Sequence, residues 1–119
     1  MADVTIYHNP GCGSSKAALQ RLSELGVDAD VVPYLRRPPD RATLERITAG
    51  LEDPVEDLVR KDRRFSQLNL DPATYVGDRS AVVELLTREP ALMQRPVLVR
   101  GDRAIIARPT SRVDDFVSS

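Results

Sequence analysis

Cys12 is the only cysteine in the 119-residue chain, and it stands in the run His8-Asn9-Pro10-Gly11-Cys12-Gly13-Ser14-Ser15-Lys16. The preceding Val4-Thr5-Ile6-Tyr7 reads as a buried strand. After it, Ala17, Ala18, Leu19, Leu22 and Leu25 keep to one face of a helix that stops at Gly26. The spacing predicts a strand over 4–7, a helix over 14–25, and the cysteine at the turn between them. Free N–H groups and the positive end of the helix dipole stabilise a thiolate, and any bound anion, at such a turn. A thiol so placed has its pKa lowered from about 8.5 into the range ~3.5–7.5. The flanking Pro, Gly and Ser residues predict a polar, exposed turn. His8, just upstream, is placed to bias the ionisation of Cys12.

A cysteine that attacks an oxyanion needs forked cationic donors, because arginine grips several oxygens through paired hydrogen bonds. Arg60, Arg95 and Arg108 each lie at the end of a predicted element, where separated segments can converge. The bland alternatives are a solvated surface charge for any one of the seventeen Lys and Arg residues, a structural histidine, and an inert buried thiol. Other chemistries lack their residues. A phosphatase loop of the type Cys-x5-Arg would need arginine where Ala18 stands. Ser15 occupies the second cysteine position of a would-be Cys-x-x-Cys, so no dithiol cycle runs within this chain. One His and one Cys do not make a structural zinc site, and no Gly-x4-Gly-Lys-[Ser/Thr] phosphate loop is present.

Positioning these residues takes several elements. Ala29 to Pro33 predicts a second strand, reached from the first through a helix long enough for a parallel crossover. Asp40 caps a helix carrying Leu44, Ile47 and Leu51, and Asp53-Pro54 predicts the cap of another carrying Val55, Leu58 and Val59. Gly77-Asp78 opens a third with Val82, Leu85 and Leu86, closed before Pro90. Pro96 to Arg100 and Arg103 to Ala107 flank Gly101-Asp102 as a hairpin, and a last helix from about Pro109-Thr110 carries Val113, Phe116 and Val117. The expectation is one α/β domain over 1–119. It has a thioredoxin-like core (about 1–37 and 91–119), with a mixed four-stranded sheet in the order β-α-β then β-β-α, and a helical insertion over about 38–90. In that fold Pro96 faces the cysteine, where a cis X-Pro bond is expected. A net charge of -1 gives no reason to expect nucleic acid or an anionic membrane as partner. No membrane span or signal pattern is visible, and a lone cysteine fits the reducing cytoplasm.

The run Asn9 to Lys16 resembles the signature of ArsC-type arsenate reductases that depend on glutathione and glutaredoxin. The resemblance continues through Tyr34-Leu35, Pro38-Pro39, Leu58-Val59-Arg60-Lys61, Arg95-Pro96-Val97-Leu98-Val99 and Arg108-Pro109, in order and over nearly the whole chain. It implies that Cys12 forms a thiol–arsenate adduct and that Arg60, Arg95 and Arg108 hold the oxyanion. His8 would help to keep the cysteine ionised, and Ser15 would support the thiolate. It further implies glutathione as co-substrate and glutaredoxin as partner, with no bound cofactor, while the near-neutral mixed surface permits a monomer. Lys16 departs from the arginine common at that place, keeping the charge and losing the fork. Two other readings stay open: a monothiol glutathione-linked oxidoreductase without arsenate activity, and an interaction protein like the Spx-type regulators. Ser15 speaks against the latter, which typically carry Cys-x-x-Cys and bind RNA polymerase.

Overall fold

The computed structural model describes residues 2–118. Strand β1 (Val4–His8) leads through helix α1 (Gly13–Glu24) to β2 (Ala29–Pro33). Helices α2 (Arg41–Gly50), α3 (Arg63–Gln67) and α4 (Arg79–Arg88) follow, interleaved with single 3-10 turns at Val55–Leu58, Pro72–Tyr75 and Pro90–Leu92. Strands β3 (Val97–Arg100) and β4 (Arg103–Ile106) and helix α5 (Arg112–Ser118) close the chain. The sheet order is β2-β1-β3-β4, with β1 parallel to β2 and antiparallel to β3, and β3 antiparallel to β4. This is a mixed four-stranded, thioredoxin-like α/β fold with helices inserted between β2 and β3.

The period-two alternation of the strands builds two cores. Val4, Ile6, Leu98 and Ile105 face α1 and α5, where they meet Ala18, Leu22, Val113 and Phe116. Tyr7, Val97, Ala104 and Ile106 face the inserted helices and pack with Leu44, Leu58, Leu86 and Met93. Helix α1 ends in a Schellman turn: Val27 N–H donates to the Leu22 carbonyl and Gly26 N–H to that of Ser23, both at 3.0 Å, with Gly26 at φ +70. Gly101, at φ +61, supplies the tight turn between β3 and β4.

The structure corrects several expectations. Leu51 is not on the apolar face of α2. It forms a parallel bridge to Ala104 of β4, because α2 stops at Gly50. A Cβ at Gly50 would collide with the Asp102 carbonyl, so glycine is what lets α2 lie against the hairpin turn. Asp53 caps nothing, and the segment after it is one 3-10 turn rather than a helix. Its carboxylate instead accepts from Ile106 N–H at 2.9 Å and from Arg112 at 2.8 Å, across more than fifty residues of chain. The last helix begins at Arg112, because Pro109 to Ser111 form a turn that closes with Arg112 N–H on the Pro109 carbonyl. Helix α3 and the turn at Pro72–Tyr75 were not expected. Asp62 and Asp71 cap them, and they bring Phe65 and Tyr75 edge to face with ring centroids 6.0 Å apart.

Two attachments fix the insertion to the sheet. At its start, Glu52 N–H donates to the Ala104 carbonyl (2.9 Å), beside the Asp53–Ile106 contact. At its end, Val59 and Met93 form an antiparallel bridge, flanked by Arg60 N–H on the Leu92 carbonyl (2.8 Å) and Gln94 N–H on that of Leu58 (2.7 Å). The second attachment sets Arg60 beside the segment that leads into Arg95.

Candidate active site

The loop after β1 is shaped by Asn9. Its side-chain oxygen accepts from Gly11 N–H (2.9 Å), and its carbonyl accepts from Cys12 N–H (3.0 Å). Cys12 then takes extended backbone angles (φ -107, ψ 124) at the N-cap of α1. Ser15 locks the loop from inside: fully buried, its hydroxyl accepts from Asn9 N–H at 2.9 Å and lies 2.7 Å from His8 Nδ1.

The turn is exposed at Pro10, Gly11 and Gly13, as its composition suggests, but Cys12 itself is only 8% exposed. Burial pushes its thiol up. A hydrogen bond from the Arg95 side chain, the amides of Ser15 and Ser14 and the charge on Arg95 more than offset this, bringing the pKa down to about 7. Neither amide closes a regular capping hydrogen bond to the sulfur, so the arginine is the principal stabiliser. Burial also pushes His8 down, and Lys16 adds to that against the raising effect of Ser15. Burial therefore disfavours the charged form of His8, whose contact with the cysteine loop runs through Ser15. One measurement follows: the rate of Cys12 alkylation by iodoacetamide should rise with pH through a midpoint of about 7 and then level off. A rise that continues to about 8.5 would mean an unperturbed thiol.

The three arginines come from separate elements and meet at one end of the sheet. Arg60 and Arg108 line a cavity of about 330 Å³ together with Lys61, Gln94 and Arg112, and with the carboxylates of Asp53 and Asp57. Arg108 reaches the first turn of α1, where its Nη2 donates to Ser14 Oγ at 2.9 Å, while its Nη1 donates to Gln94 Oε1 at 3.4 Å. Arg60 pairs with Asp62 at 2.9 Å. Arg95 does not line that cavity; it lies between Cys12 and Tyr34. Its Nε is buried without an acceptor, the one side-chain nitrogen or oxygen so left among the described residues. A buried, unpaired donor of this kind costs roughly 1–3 kcal/mol, which an arriving acceptor would recover. The Arg95–Pro96 bond is cis, as expected, and so is Arg108–Pro109, which no expectation covered.

Two residues of the site were not foreseen from the sequence. Tyr34, fully buried, carries a hydroxyl 3.4 Å from the Met93 carbonyl. Burial raises its pKa against the lowering charges of Arg95 and Arg60, with Cys12 close enough to raise it further. Gln94 touches both Arg95 and Arg108. Tyr34 is signalled only by its place in the Tyr34-Leu35 segment of the family resemblance, and Gln94 only by standing next to Arg95.

Comparison with known proteins fits this geometry. The model of the ArsC family matches residues 7–116. The chain belongs to the ArsC family. Among relatives, an arsenate reductase of Neisseria meningitidis is 34% identical over 116 residues, covering 96% of this chain and 97% of that protein. The uncharacterised Escherichia coli protein YfgD is 35% identical over the same length and covers 96% of both. The solved structure of an arsenate reductase from Vibrio cholerae superposes with a TM-score of 0.79 at 30% identity, covering 96% of this ArsC chain and 97% of the other. Among the described residues, no group of His, Cys, Asp and Glu could hold a metal ion, and no helix is long and apolar enough to cross a membrane.

Proposed function

We propose that this protein reduces arsenate to arsenite through an adduct on Cys12, drawing electrons from glutathione and glutaredoxin. The observation that carries the reading is the buried Cys12 thiol poised near pH 7 by Arg95, with Ser14, two residues on, accepting from Arg108 through its hydroxyl. The kinship with arsenate reductases over nearly the whole chain supports it.

The oxyanion docks on Arg60, Arg95 and Arg108, and the Cys12 thiolate attacks arsenic(V), expelling hydroxide or water to give a Cys12–S–As bond. A glutathione thiolate then attacks the Cys12 sulfur. The S–As bond breaks, its electron pair leaves with arsenic as arsenic(III), and the two sulfurs join as a mixed disulfide. Glutaredoxin takes the glutathionyl group by thiol exchange and returns Cys12 as thiolate. External thiols are required because the chain has no second cysteine. Ser15, held by Asn9 and His8, keeps the loop closed around the nucleophile. The thiol donors imply a reducing, cytoplasmic setting, in which the protein acts as a monomer.

The test is arsenite production with purified protein, glutathione and a glutaredoxin, each omitted in turn. Turnover should need all three. Arsenite formation with another thiol and no dependence on glutathione would overturn the electron source, and none with any thiol would overturn the reaction.

A further inference from the structure

Resting on that reading of the pocket, we infer that Gln94 is the positioning residue for Arg108, holding its guanidinium in place for the anion at the point where the three arginine-bearing segments meet. Each arginine-bearing segment is joined to this residue. Its main-chain N–H donates to the Leu58 carbonyl at 2.7 Å, two residues before Arg60. Its side-chain oxygen accepts from Arg95 N–H at 3.2 Å and from Arg108 Nη1 at 3.4 Å. The segments meet here because the Val59–Met93 bridge delivers the insertion to the strand that follows, while the β3–β4 pairing brings the residue after Ala107 back beside Pro96. Ala107 N–H on the Pro96 carbonyl (2.9 Å) holds that return.

The orientation of the amide follows from its neighbours. Both groups at its oxygen are donors, so the oxygen must face them and the NH₂ must point elsewhere. Gln94 lines the cavity that also holds Arg60 and Arg108. A neutral acceptor suits this position, since the cavity already carries the carboxylates of Asp53 and Asp57, and a third in place of Gln94 would neutralise Arg108 and add to the charge that opposes an anion. With Ser14 on one nitrogen and Gln94 on the other, the Arg108 guanidinium is held before the anion arrives, which cuts the ordering cost of binding.

The test uses inorganic arsenate, with phosphate as a second probe, to protect Cys12 from alkylation; the readout is the anion concentration giving half protection. Gln94→Met keeps the size and the main-chain link but removes the side-chain acceptor, and it should raise that concentration about tenfold. The alkylation midpoint should stay at about 7, since the Arg95 side chain still meets the sulfur. In an Arg108→Ala background the same change should cost less than about twofold, because Gln94 acts through Arg108. Gln94→Asn, too short to reach Arg108, should behave like Gln94→Met and covers the case in which the thioether variant does not fold. Half protection within about twofold of wild type in both variants, or the full loss persisting without Arg108, would overturn the inference. Wild type that binds arsenate but never reduces it would instead end the functional reading alone.

Discussion

Cys12→Ser should abolish arsenate reduction, lowering the rate by at least about 10⁴-fold, with no loss of stability. The size follows from two independent failures. A serine hydroxyl is almost wholly protonated at neutral pH, and no arginine at this position brings it within reach of ionisation. Even if an ester to arsenic formed, oxygen could not take part in the disulfide that carries two electrons away. The fold should not suffer, because position 12 is the N-cap of α1 and serine is among the best residues there. Arsenite production and a urea or thermal melt, run on the same preparation, separate the two effects. Residual turnover above about one per cent of wild type would mean that another group is the nucleophile.

Arg95→Leu should lower kcat/KM at pH 7 by roughly 10³-fold, and the loss should shrink as pH rises. Arg95 opposes the burial that pushes the Cys12 thiol up. Without it the pKa returns to about 8.5 or higher, and the thiolate fraction at pH 7 falls from about half to a few per cent, a factor of about 20. The rest, about 10²-fold, is the loss of one oxyanion donor. Because the folded thiol has a lowered pKa, the thiolate is lost as pH falls through about 7 in wild type, and from a higher pH in the variant. At pH 9 the ionisation part should be recovered and only the donor part should remain. A deficit independent of pH would assign Arg95 to anion binding alone. Stability should hold, since the substitution removes a buried donor that has no acceptor.

The sequence made legible whatever was local. Strand alternation gave β1, β3 and β4, and Asp40 and Asp78 announced α2 and α4 by capping the third residue beyond them. The position of Cys12 at a strand-to-helix turn needed only the apolar pattern on either side. Short elements slipped through. Helix α3 has five residues, too few for a period to register, although Asp62 caps it as Asp40 caps α2. Asp71-Pro72 carried the same signal as Asp53-Pro54, and only the second was read. That one misled, because the Asp53 carboxylate is drawn away by Ile106 and Arg112, partners that only the folded chain brings near. The site divides in the same way. Cys12, His8 and Ser15 share one loop and could be read together. The meeting of Arg60, Arg95 and Arg108 depends on the Val59–Met93 bridge and the hairpin register, and no local pattern encodes either. Burial of Cys12 and the lowered pKa of His8 arise from what packs around the loop rather than from its composition.

The contact of Leu51 and Asp53 with β4 has a consequence for association between molecules. It occupies the outer hydrogen-bonding groups of Ala104 and Ile106, so that flank is closed to an incoming strand. Among the described residues β2 is the other edge of the sheet, bonded to β1 alone. Growth by strand addition needs two free flanks per molecule, and the closed flank of β4 removes one of them.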